Sequence, residues 1–126
     1  MKKAKFYICR TCGNLVGMVH SSGVPMMCCG KPMEALEPNT VEASGEKHLP
    51  AVTVEDGVVN VNIGSVDHPM IDVHYIEWVY LQTENGGQRI SLKPGQAPAV
   101  KFLLGDEKPV AVYAYCNLHG LWMTEL

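Results

Sequence analysis

The sequence predicts an all-β protein: a small metal-binding N-terminal domain followed by an antiparallel β-sandwich. Three observations carry that expectation. Gly and Pro, 12 and 8 of 126 residues, interrupt the chain repeatedly. They leave no amphipathic stretch of about ten residues at the helical period. Runs rich in Val, Ile, Thr and Tyr recur between turn signals such as Asp56-Gly57, Asn85-Gly86-Gly87 and Lys93-Pro94-Gly95. Four of the five cysteines crowd into the first thirty residues.

Taken in order, short strands over 5–8 and 15–20 flank Cys9-x-x-Cys12, which places these two cysteines on a turn. The adjacent pair Cys28-Cys29 runs into a turn at Gly30-Lys31-Pro32-Met33, and Glu37-Pro38-Asn39-Thr40 reads as a linker. The domain boundary is expected near residue 37, separating 1–37 from 38–126. Strands are then expected over 51–55, 58–63, 71–83, 89–93, 99–104 and 110–116, with Asp56-Gly57 as a two-residue hairpin turn. Six or seven strands at this spacing describe a sandwich. The N-terminal piece is below the size at which a hydrophobic core usually suffices, so a metal or a partner chain must contribute.

The formal net charge of -3, with no basic run to track phosphates, gives no reason to expect nucleic acid. Nothing approaches the ~20 apolar residues of a membrane span. The basic start Met1-Lys2-Lys3-Ala4-Lys5 is followed by no apolar h-region, so a cytoplasmic protein without a secretory signal is expected. In that compartment C-x-x-C cysteines read as reduced metal-holding thiolates rather than a disulfide framework.

The cysteines divide as four plus one. Cys9, Cys12, Cys28 and Cys29 describe a closed tetrahedral site for Zn²⁺ or a single redox-active iron, and spacing does not choose between them. Gly13 and Gly30 supply the tight backbone such a site needs. Cys116 keeps different company, in Cys116-x-x-His119 with His48, His68 and His74 upstream. A cysteine and a histidine three apart at a strand end can share an ion. His74 is expected on a strand face with Ile76, Trp78 and Tyr80, where an imidazole needs a partner. His20, followed by Ser21-Ser22-Gly23, reads as a solvated loop residue. A rival reading takes Cys116-x-x-His119-x-x-x-Met123 as the ligand loop of a cupredoxin-like electron carrier with a structural zinc-ribbon appendage. Three upstream histidines exceed what such a site uses. A zinc module fused to a β-sandwich binding domain is a third reading.

Together these residues resemble the desulfoferrodoxin family, the two-iron superoxide reductases, over essentially the whole chain. The markers are Cys9-x-x-Cys12 with Cys28-Cys29, Glu46-Lys47-His48 before Pro50, His68-Pro69-Met70 with His74, Lys93-Pro94-Gly95, and Cys116-Asn117-Leu118-His119-Gly120. The resemblance implies a rubredoxin-like iron on Cys9, Cys12, Cys28 and Cys29 in a desulforedoxin-like domain. It implies an immunoglobulin-like sandwich in which His48, His68, His74 and His119 surround a second iron, with Cys116 as axial ligand. It further implies homodimers, reduction by rubredoxin or a similar donor protein, and conversion of superoxide to hydrogen peroxide without oxygen release. Glu46 would, by the same resemblance, swing onto ferric iron after turnover.

Attraction of an anionic substrate to a negative protein must be local. Three charges at ~15 Å in water contribute less than ~1 kcal/mol before screening, whereas one lysine within ~5 Å at an effective dielectric of ~20 contributes ~3 kcal/mol. Lys47, beside a candidate ligand, is the residue expected to guide superoxide.

Overall fold

The computed structural model describes residues 2–126; Met1, the first residue of the basic N-terminal run, lies outside it. The chain divides into two compact units, the first ending at Glu37 and the second running from Pro38 to Leu126.

In the first unit β1 (Phe6–Ile8) lies between β2 (Leu15–Gly17) and β5 (Glu34–Ala35), both antiparallel to it, and β3 (Met27–Cys28) pairs with β4 (Lys31–Pro32). Its buried apolar residues are Phe6, Ile8 and Cys9, a small core for so many residues. Strand β2 stops at Gly17, short of the expected 15–20. Beyond it, Ser21 and Ser22 turn the chain by accepting from the Gly23 and Val24 amides through their hydroxyls.

The second unit stacks two antiparallel sheets. One has the order β10 (Ala99–Leu103), β7 (Val58–Ile63), β6 (Pro50–Glu55); the other β12 (Gly120–Glu125), β11 (Pro109–Cys116), β8 (Ile76–Thr83), β9 (Gly87–Ser91). Alternation along β7 sends Val59, Val61 and Ile63 inward to meet Phe102, Val79, Leu81, Val112 and Ala114. The Asp56-Gly57 turn has positive φ at both positions, 50° and 74°, as the expected hairpin between β6 and β7 demands. Among the described residues the one helix is α1 (Gly45–His48), a single turn ahead of β6. No described helix is long and apolar enough to cross a membrane.

Two departures from the sequence expectation matter for the site. Strand β8 begins at Ile76, not at residue 71. Ile71 and His74 instead exchange two backbone hydrogen bonds of 3.0 Å, closing a tight turn that lifts His74 out of the strand. The β8–β11 register then shifts between Tyr115↔Trp78 and Cys116↔Ile76, a bulge at Glu77. Ile76 therefore joins the sandwich core, while Trp78 stacks on Tyr115 at 5.7 Å. His74 shares no strand face with them. Strand β12 has no range among the strands expected above, because its start coincides with the Cys116–Gly120 motif; only Met123, beside Trp122, reads as a strand residue from the sequence.

Candidate metal centres

In the first unit Cys9 directly follows β1, Cys12 lies on the turn beyond it, and Cys28 and Cys29 stand on the β3–β4 hairpin. Their sulfurs all lie within 4.8 Å of one another. The loop is shaped by Gly13 (φ 85°), whose amide donates to the Cys9 carbonyl, and by Gly30 (φ 73°). Cys29, not glycine, also takes a positive φ of 51°, which turns its side chain toward the group. Amides point at the sulfurs: Cys12 N–H at Cys9 Sγ and Asn14 N–H at Cys12 Sγ, each 3.5 Å.

Those donors favour one thiolate and crowd the rest. The Cys12 amide, chiefly, lowers the Cys9 thiol to about 6. The Cys12 and Cys9 sulfurs push Cys29 up to about 12 and Cys28 upward as well. Four sulfurs this close cannot all ionise on their own charge. A cation removes the conflict, and tetrahedral thiolate coordination is what the donor set fits.

In the second unit His48, His68, His74 and Cys116 bring ligand atoms within 4.8 Å of one another. His119 joins them: its Nδ1 lies 3.1 Å from His48 Nε2 and 3.9 Å from Cys116 Sγ. Each donor has a distinct support. His48 ends α1, His68 closes the loop after β7, His74 caps the tight turn before β8, and Cys116 and His119 bracket the β11–β12 hairpin.

Tautomers follow from the carbonyls. His48 Nδ1–H donates to the Ser44 carbonyl and His68 Nδ1–H to the Pro69 carbonyl, both at 2.7 Å. A carbonyl only accepts, so each neutral ring turns its Nε2 lone pair inward. Those two lone pairs sit 3.2 Å apart. His74 Nε2 is buried with no hydrogen-bond partner. Lone pairs facing each other, beside an orphaned nitrogen and a buried sulfur, are what a cation would satisfy. Burial lowers His48 and His74 and brings His68 to about 4, so all three are neutral at pH 7. Burial raises the Cys116 thiol, partly offset by the His119 and Leu118 amides. A bound cation would drive that proton off.

The other sequence candidates fall as follows. Lys47 is exposed on α1, and its charge acts on His48 and His74. Glu46 is exposed on the same turn and is not among the converging donors; its carbonyl accepts from Val66 N and Ser65 Oγ. His20 is exposed. Met123 does not converge on the site. It sits on β12 opposite Tyr113, one residue past the Trp122 that stacks on His48, so strand alternation puts its side chain on the other face of the sheet and the cupredoxin reading loses its axial ligand. Two supporting side chains escaped the sequence reading. Asn117, read only as a turn residue, accepts from Tyr75 N and donates to the Val73 carbonyl, locking the His74 turn onto the Cys116 hairpin. Trp122 contacts two of the histidines. Neither had a spacing signal, since both act across elements distant in sequence.

Family profiles cover nearly all of the chain: Desulfoferrodoxin matches residues 40–125 and the Desulfoferrodoxin N-terminal domain matches 1–36. The chain belongs to the desulfoferrodoxin family. A desulfoferrodoxin of Syntrophotalea carbinolica is 43% identical over 125 residues, 98% of each chain. A desulfoferrodoxin homolog of Archaeoglobus fulgidus is 42% identical over 118 residues, 94% of each. Among solved structures, the superoxide reductase from Treponema pallidum has 38% identity and a TM-score of 0.82, covering 98% of this chain and 100% of its own. The four-cysteine set and the histidine–cysteine set are those of a two-iron desulfoferrodoxin.

Proposed function

We infer that the protein is a superoxide reductase, adding one electron and two protons to superoxide to form hydrogen peroxide without releasing oxygen. One observation carries the reading: four imidazoles and one buried thiol from four separate segments converge in a chain of the desulfoferrodoxin family. His48, His68, His74, His119 and Cys116 hold the active iron, and Cys9, Cys12, Cys28 and Cys29 hold the other. When bound, the iron held by the histidines and Cys116 would supply one-electron redox chemistry.

The chain's own residues do the rest. Neutral imidazoles add no charge, so the single thiolate leaves a net positive site that attracts an anion. Lys47, whose charge reaches His48 and His74, steers superoxide and donates from Nζ to the reduced anion. Glu46, exposed one residue earlier, would be the carboxylate nearest in sequence that could bind the iron in its ferric state. The Cys116 sulfur, which accepts from the His119 amide at 3.4 Å, would lend electron density to a bound iron.

A rubredoxin or similar protein delivers the electron, and the protein works as a homodimer. Exposed Val19, Val24 and Met27 on the small first unit support a partner chain there.

The test is stoichiometry. Superoxide consumed by the reduced protein should appear one for one as peroxide, with no oxygen evolved. Half that yield, with oxygen, would mean dismutation and overturn the assignment.

A further inference from the structure

We propose that Trp122 is a positioning residue for the active iron, one side chain that sets the orientation of two ligands at once. Its indole stacks on the His48 ring, centroids 4.9 Å apart and planes inclined by 28°. Its Nε1–H donates to the His119 carbonyl at 3.0 Å. Trp122 is 4% exposed and lies on β12 opposite Ala114, so strand pairing fixes its backbone from within the sandwich.

The geometry explains why such a support is needed. His48 comes from a single turn of helix whose N-cap, Ser44, makes no side-chain capping bond. From its own segment the ring receives one hydrogen bond, from Nδ1 to the Ser44 carbonyl, which places that nitrogen but does not by itself fix rotation about the Nδ1···O line. A flat aromatic surface against the ring removes that tilt. His119 stands on a three-residue hairpin loop, and the indole N–H anchors its carbonyl on the strand that follows. The two ligands are thereby tied together through a group that touches neither substrate nor metal. Coordination draws electron density out of an imidazole, so the indole face attracts the ligated ring more strongly than the free one. Trp122 thus contributes to metal affinity beyond its contribution to the fold. The proposal rests on the reading of His48 and His119 as ligands.

Trp122→Phe keeps a stacking surface and loses the N–H; Trp122→Leu loses both. Purified full-length proteins are compared by iron competition with a chelator, by electron paramagnetic resonance of the ferric centre, and by thermal melting of metal-free samples. Iron affinity at the histidine site should fall about tenfold or more in the Leu variant and less in the Phe variant. The ferric signal should broaden in the same order, while the four-cysteine signal is unchanged. Unaltered affinity and line shape in the Phe and Leu variants, whatever their melting temperatures, would overturn the proposal. A wild-type chain that bound no iron at this site would instead overturn the ligand reading beneath it.

Discussion

Burial settles what each histidine can be. A solvated imidazole is half protonated near pH 6.5, but His68, 2% exposed, is brought by burial to about 4. Its Nδ1 proton is committed to a carbonyl, so its remaining nitrogen meets the Nε2 of His48 lone pair to lone pair, a conflict a cation between them resolves. In the role proposed for it, Lys47 would work in the opposite sense, through exposure, since a solvated ammonium can meet an anion arriving from water. Lys47→Ala should slow superoxide capture about tenfold at low salt and flatten its dependence on ionic strength. Pulse-radiolysis rates equal to those of the parent at every salt concentration would remove Lys47 from the mechanism.

The elements that carry the ligands are short, so they are held by one another rather than by their own periodicity. Helix α1 is gripped from the side by the loop after β7. Val66 N and Ser65 Oγ both donate to the Glu46 carbonyl, and Gly64 lies so close that a Cβ there would sit 2.5 Å from that oxygen. Gly64→Ala must therefore push α1 outward. It should cost about 1–3 kcal/mol in urea unfolding and disturb the ferric signal of the histidine site through His48. A variant with parental stability and spectrum would show that the two segments pack with slack. The β11–β12 hairpin is restrained similarly, by Asn117 reaching back to Val73 and Tyr75. Site geometry here is loop against loop, each locked by backbone hydrogen bonds.

For the whole molecule, stability is linked to metal and to pH. His68 is neutral in the fold, whereas the unfolded chain protonates it near 6.5, so the unfolded state binds more protons below that pH. Metal-free protein should therefore hold its full stability above about pH 6.5, lose it as the pH falls to about 4, and level off below. Denaturation midpoints measured across that range check the sign. A flat profile would show that the imidazole titrates alike in the folded and unfolded chain. Cys12→Ser tests the first unit, whose core is too small to stand on burial. It should lose the four-cysteine iron and become protease-sensitive there, while the histidine-site signal persists. If the donor protein then reduces the histidine-site iron more slowly, the first iron is an electron relay; an unchanged rate assigns it to folding.

The chemistry of the site was legible in the chain because metal ligands are rare, reactive residue types whose spacing survives in one dimension. Cys9-x-x-Cys12 with Cys28-Cys29, and Cys116-x-x-His119 with three upstream histidines, named the side chains that the fold brings together. The strand run 58–63 was equally plain, since its alternating apolar residues have one way to face a core. Tertiary structure decided what depends on contacts between distant segments. It chose which nitrogen each histidine turns inward, because carbonyls of Ser44 and Pro69 claim the other. It moved His74 off its strand into a hydrogen-bonded turn, and it set Trp122 against His48 across 74 positions of chain, from 48 to 122. Pairings of that kind leave no periodic trace. Hydrogen bonds and stacking read distance in space, which a sequence does not record.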